Sequence, residues 1–148
     1  MVDKKVDKKL ELYLFIAFGA ALIATLGSLY FSEILKYVPC ELCWYQRIFM
    51  YPQAVILAVA IAKKNHQIAL YCLILSIIGG LISTYHYLIQ KVSFMSENSI
   101  SCGLIPCNSQ YINWLGFITI PFLALTAFII ISICCYLILK QLKEGEKH

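Results

Sequence analysis

The chain has 148 residues, of which 61% are hydrophobic and 14% carry a charge, and its mean hydropathy is +0.77. These values exclude an ordinary soluble domain of this size and indicate an integral membrane protein. The formal charge of +4 comes without the clustered basic face that a nucleic-acid-binding domain requires, so no nucleic-acid partner is predicted.

Four segments are long and apolar enough for a helix to cross the roughly 30 Å hydrocarbon core of a bilayer. In chain order they are approximately residues 12–31, 44–62, 67–88 and 114–139. Helix is the expected state, because lipid offers no partner to an unpaired backbone group. The first segment is too long for a signal peptide and lacks an A-x-A-like cleavage site. We predict an all-α membrane protein in which residues 1–148 form a single four-helix bundle.

The distribution of Lys and Arg predicts which ends face the cytoplasm. Nine of the twelve lie near the termini or between the second and third spans, namely Lys4, Lys5, Lys8, Lys9, Lys63, Lys64, Lys140, Lys143 and Lys147. By the positive-inside rule, both termini are expected in the cytoplasm. Two outer loops, approximately residues 32–43 and 89–113, are then expected on the other side.

The seven cysteines divide into two groups by this topology. The predicted outer loops contain two pairs, Cys40 with Cys43 and Cys102 with Cys107. An even number of thiols in an oxidising compartment is typical of disulfides. The remaining three lie inside predicted spans, where a cysteine is usually a small packing residue; they are Cys72, Cys134 and Cys135.

Three interpretations compete for the outer cysteines. Four thiolates match a zinc site and the C-x-x-C spacing of the first pair suits one, but the second pair is C-x4-C and no histidine accompanies the set. A purely structural staple is the second interpretation, although closing so short a loop removes little entropy from the unfolded chain. Thiol–disulfide chemistry is the third, and it is the usual use of a short C-x-x-C ring.

The neighbours of the first pair favour the redox interpretation. Cys43 lies near the predicted N-terminus of the second helix, where the partial positive charge favours a thiolate. Arg47 follows four residues later on the same helical face. A charge at that depth either extends to the interface or binds a ligand. His86, near the outer end of the third span, either joins Arg47 in binding that ligand or is an ordinary interfacial histidine.

Electrons taken from thiols need an acceptor, and the sequence contains no motif for a protein-bound one. Trp44 follows Cys43, so the haem motif C-x-x-C-H is absent, and no G-x-G-x-x-G follows a strand. A lipid-soluble quinone entering from the bilayer fits these observations.

Two stretches carry a family resemblance: "PCELCWYQR", residues 39–47, and "PCNSQYINWLGFITIP", residues 106–121. With the four spans, they make the chain similar to the DsbB family of membrane thiol–quinone oxidoreductases, and most similar to its short BdbC-type members. The resemblance implies an enzyme of the bacterial cytoplasmic membrane that reoxidises an extracytoplasmic thioredoxin-like thiol oxidase of the DsbA or BdbD type. Disulfide formation in exported proteins would depend on it.

The same resemblance implies roles for individual residues. The partner's dithiol would attack a Cys102–Cys107 disulfide, and electrons would then pass to a Cys40–Cys43 disulfide. Cys43 would transfer them to menaquinone or ubiquinone, with Arg47 and His86 on the quinone side and no metal involved. An inter-loop disulfide between Cys40 and Cys107 stays an open alternative.

Two other functions are kept as alternatives. A vitamin K epoxide reductase-like enzyme is also a four-helix thiol–quinone relay, but its quinone-facing C-x-x-C is expected near the last helix rather than before the second. A structural or chaperone-like membrane subunit with inert disulfides belongs to a different class, and activity measurements would distinguish it.

Overall fold

In the computed structural model of the chain, residues 4–91 and 119–145 are described. They form four α-helices: α1, Lys4–Leu29; α2, Glu41–Lys63; α3, Ala69–Lys91; and α4, Ile120–Gly145. All four are long and apolar enough to cross a membrane. The predicted all-α class and four-helix membrane bundle are therefore confirmed. Cys102, Cys107 and the predicted 114–118 start of the fourth span lie outside the described residues.

The helices continue beyond the apolar segments from which the spans were predicted. Helix α1 starts at Lys4 and passes at its end into a π-helical turn, Tyr30–Ile34, while α4 continues to Gly145. The predicted spans counted only apolar residues, whereas Lys, Glu and Gln are good helix formers that extend a helix into water. Helix α2 likewise begins at Glu41, before the predicted residue 44.

The two prolines within the predicted spans have different positions. Pro52 lies inside α2, as expected, whereas Pro121 is the second residue of α4. The missing N–H of proline costs nothing in the first turn of a helix, where that group has no intrahelical acceptor. Pro121 therefore lies in the first turn of α4 and does not interrupt it.

At the end opposite Cys40, an ion pair joins α1 to the turn between α2 and α3. Lys64 ends α2 with a left-handed backbone, φ 49°, and its Nζ lies 2.8 Å from an Oε of Glu11. The hydrogen bond to Glu11, together with the negative charge of that carboxylate, raises the pKa of Lys64. Both side chains are well exposed, so the pair contributes little to stability and mainly fixes the position of the turn.

The core of the bundle consists of small and aliphatic side chains from all four helices. Phe128 of α4, which is 1% exposed, lies against Gly79 and Gly80 of α3. The three cysteines inside the spans are also buried in this core: Cys72, Cys134 and Cys135. Their burial agrees with the packing role that the sequence indicated.

Two buried polar side chains in the core are paired across helices. The hydroxyl of Ser76 in α3 donates a hydrogen bond of 2.9 Å to Oε1 of Gln53 in α2. Both residues are essentially buried. In lipid such a bond favours association of the two helices, because neither group can be satisfied by water.

Replacement of the two adjacent glycines tests the close approach of α3 and α4. A Cβ at residue 79 would overlap the Phe128 ring, whereas at residue 80 its nearest neighbour is 3.7 Å away. Overpacking of this kind costs about 1–3 kcal/mol. We expect Gly79→Ala to lower the thermal unfolding temperature in detergent and Gly80→Ala to leave it nearly unchanged. Equal destabilisation by both substitutions, or no rescue of Gly79→Ala by Phe128→Leu, would contradict this packing.

Candidate functional site

The start of α2 brings Cys40 and Cys43 together. Cys40 is the N-cap residue, with φ −73° and ψ 169°, and its carbonyl accepts a 3.1 Å hydrogen bond from the Trp44 N–H. Cys43 lies in the first turn, and the two Sγ atoms are 3.3 Å apart. This is a hydrogen-bond distance, longer than the roughly 2.05 Å of a covalent S–S bond. The pair is thus present as two thiols, and the Cys40–Cys43 disulfide stays a prediction.

His86 of α3 is the third member of this cluster. Its Nε2 lies 3.6 Å from Sγ of Cys40, and its Nδ1 lies 3.0 Å from Nε2 of Gln46. An amide nitrogen can only donate, so Nδ1 accepts this bond, and a hydrogen on Nε2 then faces the sulfur. Cys40, Gln46 and His86 are each at most 8% exposed, so the cluster is largely shielded from solvent.

The hydrogen bond between the two thiols influences which of them keeps its proton. Cys40 donates to Cys43, and this bond, together with burial, raises the pKa of Cys40 to about 12, while the contact with His86 opposes the rise. Cys40 therefore keeps its proton at neutral pH. The acceptor, Cys43, also lies in the first turn of α2, where the helix dipole favours negative charge. The arrangement favours a thiolate on Cys43 rather than on Cys40.

Arg47 is held between α1 and α2. Its Nε donates to Ser28 Oγ at 2.9 Å and its Nη2 to the Ser28 carbonyl at 3.2 Å. The Tyr51 hydroxyl donates to the same Oγ at 3.3 Å, and the guanidinium carbon lies 5.5 Å from the centroid of the Trp44 ring. These contacts fix the positive charge one helical turn from Cys43, on the same side of α2.

A cavity of about 440 Å³ lies beside these residues, bounded by all four helices. Cys40, Cys43, Arg47 and His86 line it together with apolar side chains of α1 and α4. This volume falls within the range of small-molecule sites, which combine apolar walls with a few polar groups. The lining therefore suits a largely apolar ligand that carries a few polar atoms.

Four of the six predicted site residues are brought together here, namely Cys40, Cys43, Arg47 and His86, while Cys102 and Cys107 lie outside the described residues. Sequence reasoning did not find Gln46 and Ser28. Gln46 had a detectable signal, because it is a polar residue three positions after Cys43 on the cavity side of α2. Ser28 had none, since one serine in an apolar helix is common.

Comparison with known proteins gives a consistent result. A family model described as disulfide bond formation protein DsbB matches residues 10–138. "Probable disulfide formation protein C 1" of Bacillus anthracis is 57% identical over 135 residues, covering 91% of this chain and 97% of that protein. "Disulfide bond formation protein C" of Bacillus subtilis (strain 168) is 53% identical over 135 residues, covering 91% and 94%. No solved structure matches the chain.

The proton arrangement predicts how Cys40 responds to loss of its neighbours. In the reduced protein, Cys43→Ala removes the largest cause of the raised pKa of Cys40. That pKa should fall, so Cys40 should hold more thiolate at pH 9 and react faster with iodoacetamide. Adding His86→Leu removes the opposing contact and should raise the pKa again. Peptide mass spectrometry of the alkylated protein across a pH series measures both shifts.

The buried Cys72 offers a matched control, because it lies in the core away from the pair. Cys72→Ala should leave the pH profile of Cys40 alkylation unchanged. An identical profile in the wild type and in Cys43→Ala would contradict the donor role of Cys40.

Proposed function

The chain belongs to the DsbB family of disulfide bond formation proteins, and from this premise we propose that it is a membrane thiol:quinone oxidoreductase. It reoxidises an extracytoplasmic thioredoxin-like thiol oxidase and passes the electrons through two cysteine pairs to a quinone. Its place is the bacterial cytoplasmic membrane, with both termini in the cytoplasm and the cysteine pairs on the outer side. The excess of Lys and Arg at the termini and between the second and third spans supports this orientation.

One observation carries the proposal: a C-x-x-C thiol pair and an arginine line a single cavity between membrane-spanning helices. A soluble acceptor would not need a site with apolar walls among such helices. The donor set fits a quinone, because Arg47 has N–H groups for a carbonyl oxygen and the walls match an apolar ring. When bound, a menaquinone or ubiquinone supplies the two-electron acceptor.

Cys43 is the residue that reacts on the cavity side. It lines the cavity and accepts the hydrogen bond from Cys40, which stabilises its thiolate. Conversion of the two thiols to a Cys40–Cys43 disulfide releases two electrons and two protons. The Nε2 hydrogen of His86 faces the Cys40 sulfur at 3.6 Å and stabilises the negative charge that develops there as the Cys40 proton leaves. This gives His86 a role on the thiol side in addition to the quinone-side role implied by the resemblance.

Arg47 is the residue that would hold an oxygen of the bound acceptor. Two of its N–H groups are occupied by Ser28, which orients the planar guanidinium. A positively charged donor beside a reducible carbonyl stabilises the negative charge that develops on the oxygen. The contact with Trp44 limits the rotation of the side chain further.

The second pair, Cys102 and Cys107, receives the electrons from the partner. A thiolate of a DsbA- or BdbD-like protein attacks the Cys102–Cys107 disulfide, with Cys102 as the attacked sulfur, and forms a mixed disulfide. The partner's second thiol then resolves it, so that two electrons enter for each disulfide released. Transfer to the Cys40–Cys43 disulfide follows by the same exchange and regenerates the first pair as thiols. The exchange passes through a mixed disulfide between the two pairs, for which an inter-loop Cys40–Cys107 bond is an open alternative.

Turnover with purified components tests the relay. Protein in detergent is mixed with a reduced DsbA-type thiol oxidase and a short-chain quinone, and both partner disulfide and quinol are quantified. We expect equal amounts of the two products with the wild type and none above background with Cys43→Ser. Cys72→Ser, a cysteine substitution in the core, should retain activity. Full activity of Cys43→Ser, or partner oxidation without quinol, would refute the function.

Arg47 is tested by a substitution that keeps its charge. Lys has no planar fork, so Arg47→Lys loses the paired contacts to Ser28 and the fixed orientation. We expect kcat/KM for the quinone to fall roughly 10- to 100-fold, while the rate of exchange with the partner stays normal. Lys63→Met removes a cation from the opposite end of α2 and should leave both rates unchanged. An equal loss in both half-reactions of Arg47→Lys would indicate a structural role instead.

A further inference from the structure

Three potential metal ligands converge at the start of α2. Sγ of Cys40, Sγ of Cys43 and a ring nitrogen of His86 all lie within 4.8 Å of one another. Zinc sites hold sulfur at about 2.3 Å and nitrogen at about 2.0–2.1 Å in a tetrahedron, which places neighbouring ligand atoms roughly 3.6–3.8 Å apart. The two sulfurs are 3.3 Å apart, and Sγ of Cys40 is 3.6 Å from Nε2 of His86. A contraction of the cluster, in which the Cys43 and His86 donor atoms now lie within 4.8 Å of each other, would complete the geometry.

One reason against a zinc site in the sequence was that no histidine lies near the cysteines in the chain. His86 is 46 positions from Cys40 in the chain, and only the packing of α3 against α2 brings it to the pair. We propose that Cys40, Cys43 and His86, in the reduced protein, form a binding site for Zn²⁺. The fourth tetrahedral position is left for water or another donor.

Charge favours this ligand. Two thiolates, a neutral imidazole and Zn²⁺ sum to zero, so the complex avoids an uncompensated charge in a largely buried location. Oxygen-preferring cations such as Mg²⁺ are excluded by the sulfur donors. Binding displaces the two thiol protons, and the disulfide form of the pair has no thiolate to offer. The site therefore exists only while the pair is reduced.

Gln46 can form a hydrogen bond with His86 both in the metal-free protein and when His86 binds a metal. Its amide nitrogen now donates to Nδ1, which keeps the ring hydrogen on Nε2. When Nε2 binds a metal, that hydrogen moves to Nδ1, and a half-turn of the amide presents Oε1 as its acceptor. Such an acceptor behind a metal-bound histidine is the usual supporting contact, and losing it costs about 10- to 100-fold in affinity.

Occupancy would stop the redox cycle, a consequence that rests on the proposed function. The metal takes the lone pairs of both sulfurs, so Cys43 cannot reach an acceptor in the cavity until the metal leaves. A cell short of quinone accumulates the reduced pair and is therefore the one in which zinc would bind.

Metal titration of the protein alone tests the site without partner or quinone, so its outcome is independent of the relay assay. The Cys102→Ser/Cys107→Ser variant is reduced, freed of reductant under nitrogen and titrated with Co²⁺, then Zn²⁺. We expect one equivalent of Co²⁺ with sulfur-to-cobalt charge-transfer and tetrahedral d–d bands, displacement by Zn²⁺ and release of about two protons per metal. The same variant oxidised to the Cys40–Cys43 disulfide should show none of these signals.

Substitutions in the same background identify the ligands. Cys43→Ser and His86→Ala should abolish the tight site, Gln46→Leu should weaken it about 10- to 100-fold, and Gln46→Glu should strengthen it. Cys72→Ser should bind as the parent does. Binding that survives oxidation or His86→Ala, binding lost with Cys72→Ser, or no saturable binding at all would overturn the proposal. If one of these variants misfolds, the comparison of the oxidised and reduced forms of the parent protein still tests the proposal.

Discussion

The position at which α2 begins, directly after its N-cap residue Cys40, is the constraint on which the candidate site depends. Cys40 is the last residue with an extended backbone, so Cys43 lies in the first turn and Arg47 one turn further along. At 3.6 residues per turn these positions share one side of the helix, which is the side that lines the cavity. If the helix began at Trp44, Cys43 would have an extended backbone, and its sulfur would lose both the helix dipole and its place beside Arg47.

Polar contacts that hold the helices of the bundle together also position the residues of the candidate site. Ser28 and Arg47 join α1 to α2, Gln46 and His86 join α2 to α3, and deeper in the core Ser76 and Gln53 join the same two helices. Helix α2 contributes to every one of these pairs. In lipid each pair favours helix association, because its members find no water to replace the lost partner. Substitutions in the first two pairs will therefore affect stability and chemistry together, and matched controls are needed to separate them.

Much of the fold was accessible from the sequence, because the length of an apolar segment and the physics of lipid leave few alternatives to a helix bundle. The C-x-x-C motif and Arg47 were accessible for a similar reason, since their spacing is local. What could not be predicted depends on packing between segments distant in the chain. The position of His86 beside Cys40 and Gln46 is of this kind, and its quinone-side role stays a prediction. Ser28 became relevant only once α1 lay against α2.

The depth of the remaining cysteines has a consequence for how electrons move. Cys72 lies near the start of α3, and His86, which marks the level of the reactive pair, lies fourteen residues further along, or roughly 20 Å at about 1.5 Å per residue. Haem and iron–sulfur centres can pass electrons through intervening protein, whereas thiol exchange requires one sulfur to touch another. The intervening helix thus keeps the Cys72 sulfur out of contact with the Cys40–Cys43 pair. In the proposed function, Cys72 therefore takes no part in the exchange, which is confined to the end of the bundle that holds Cys40 and Cys43.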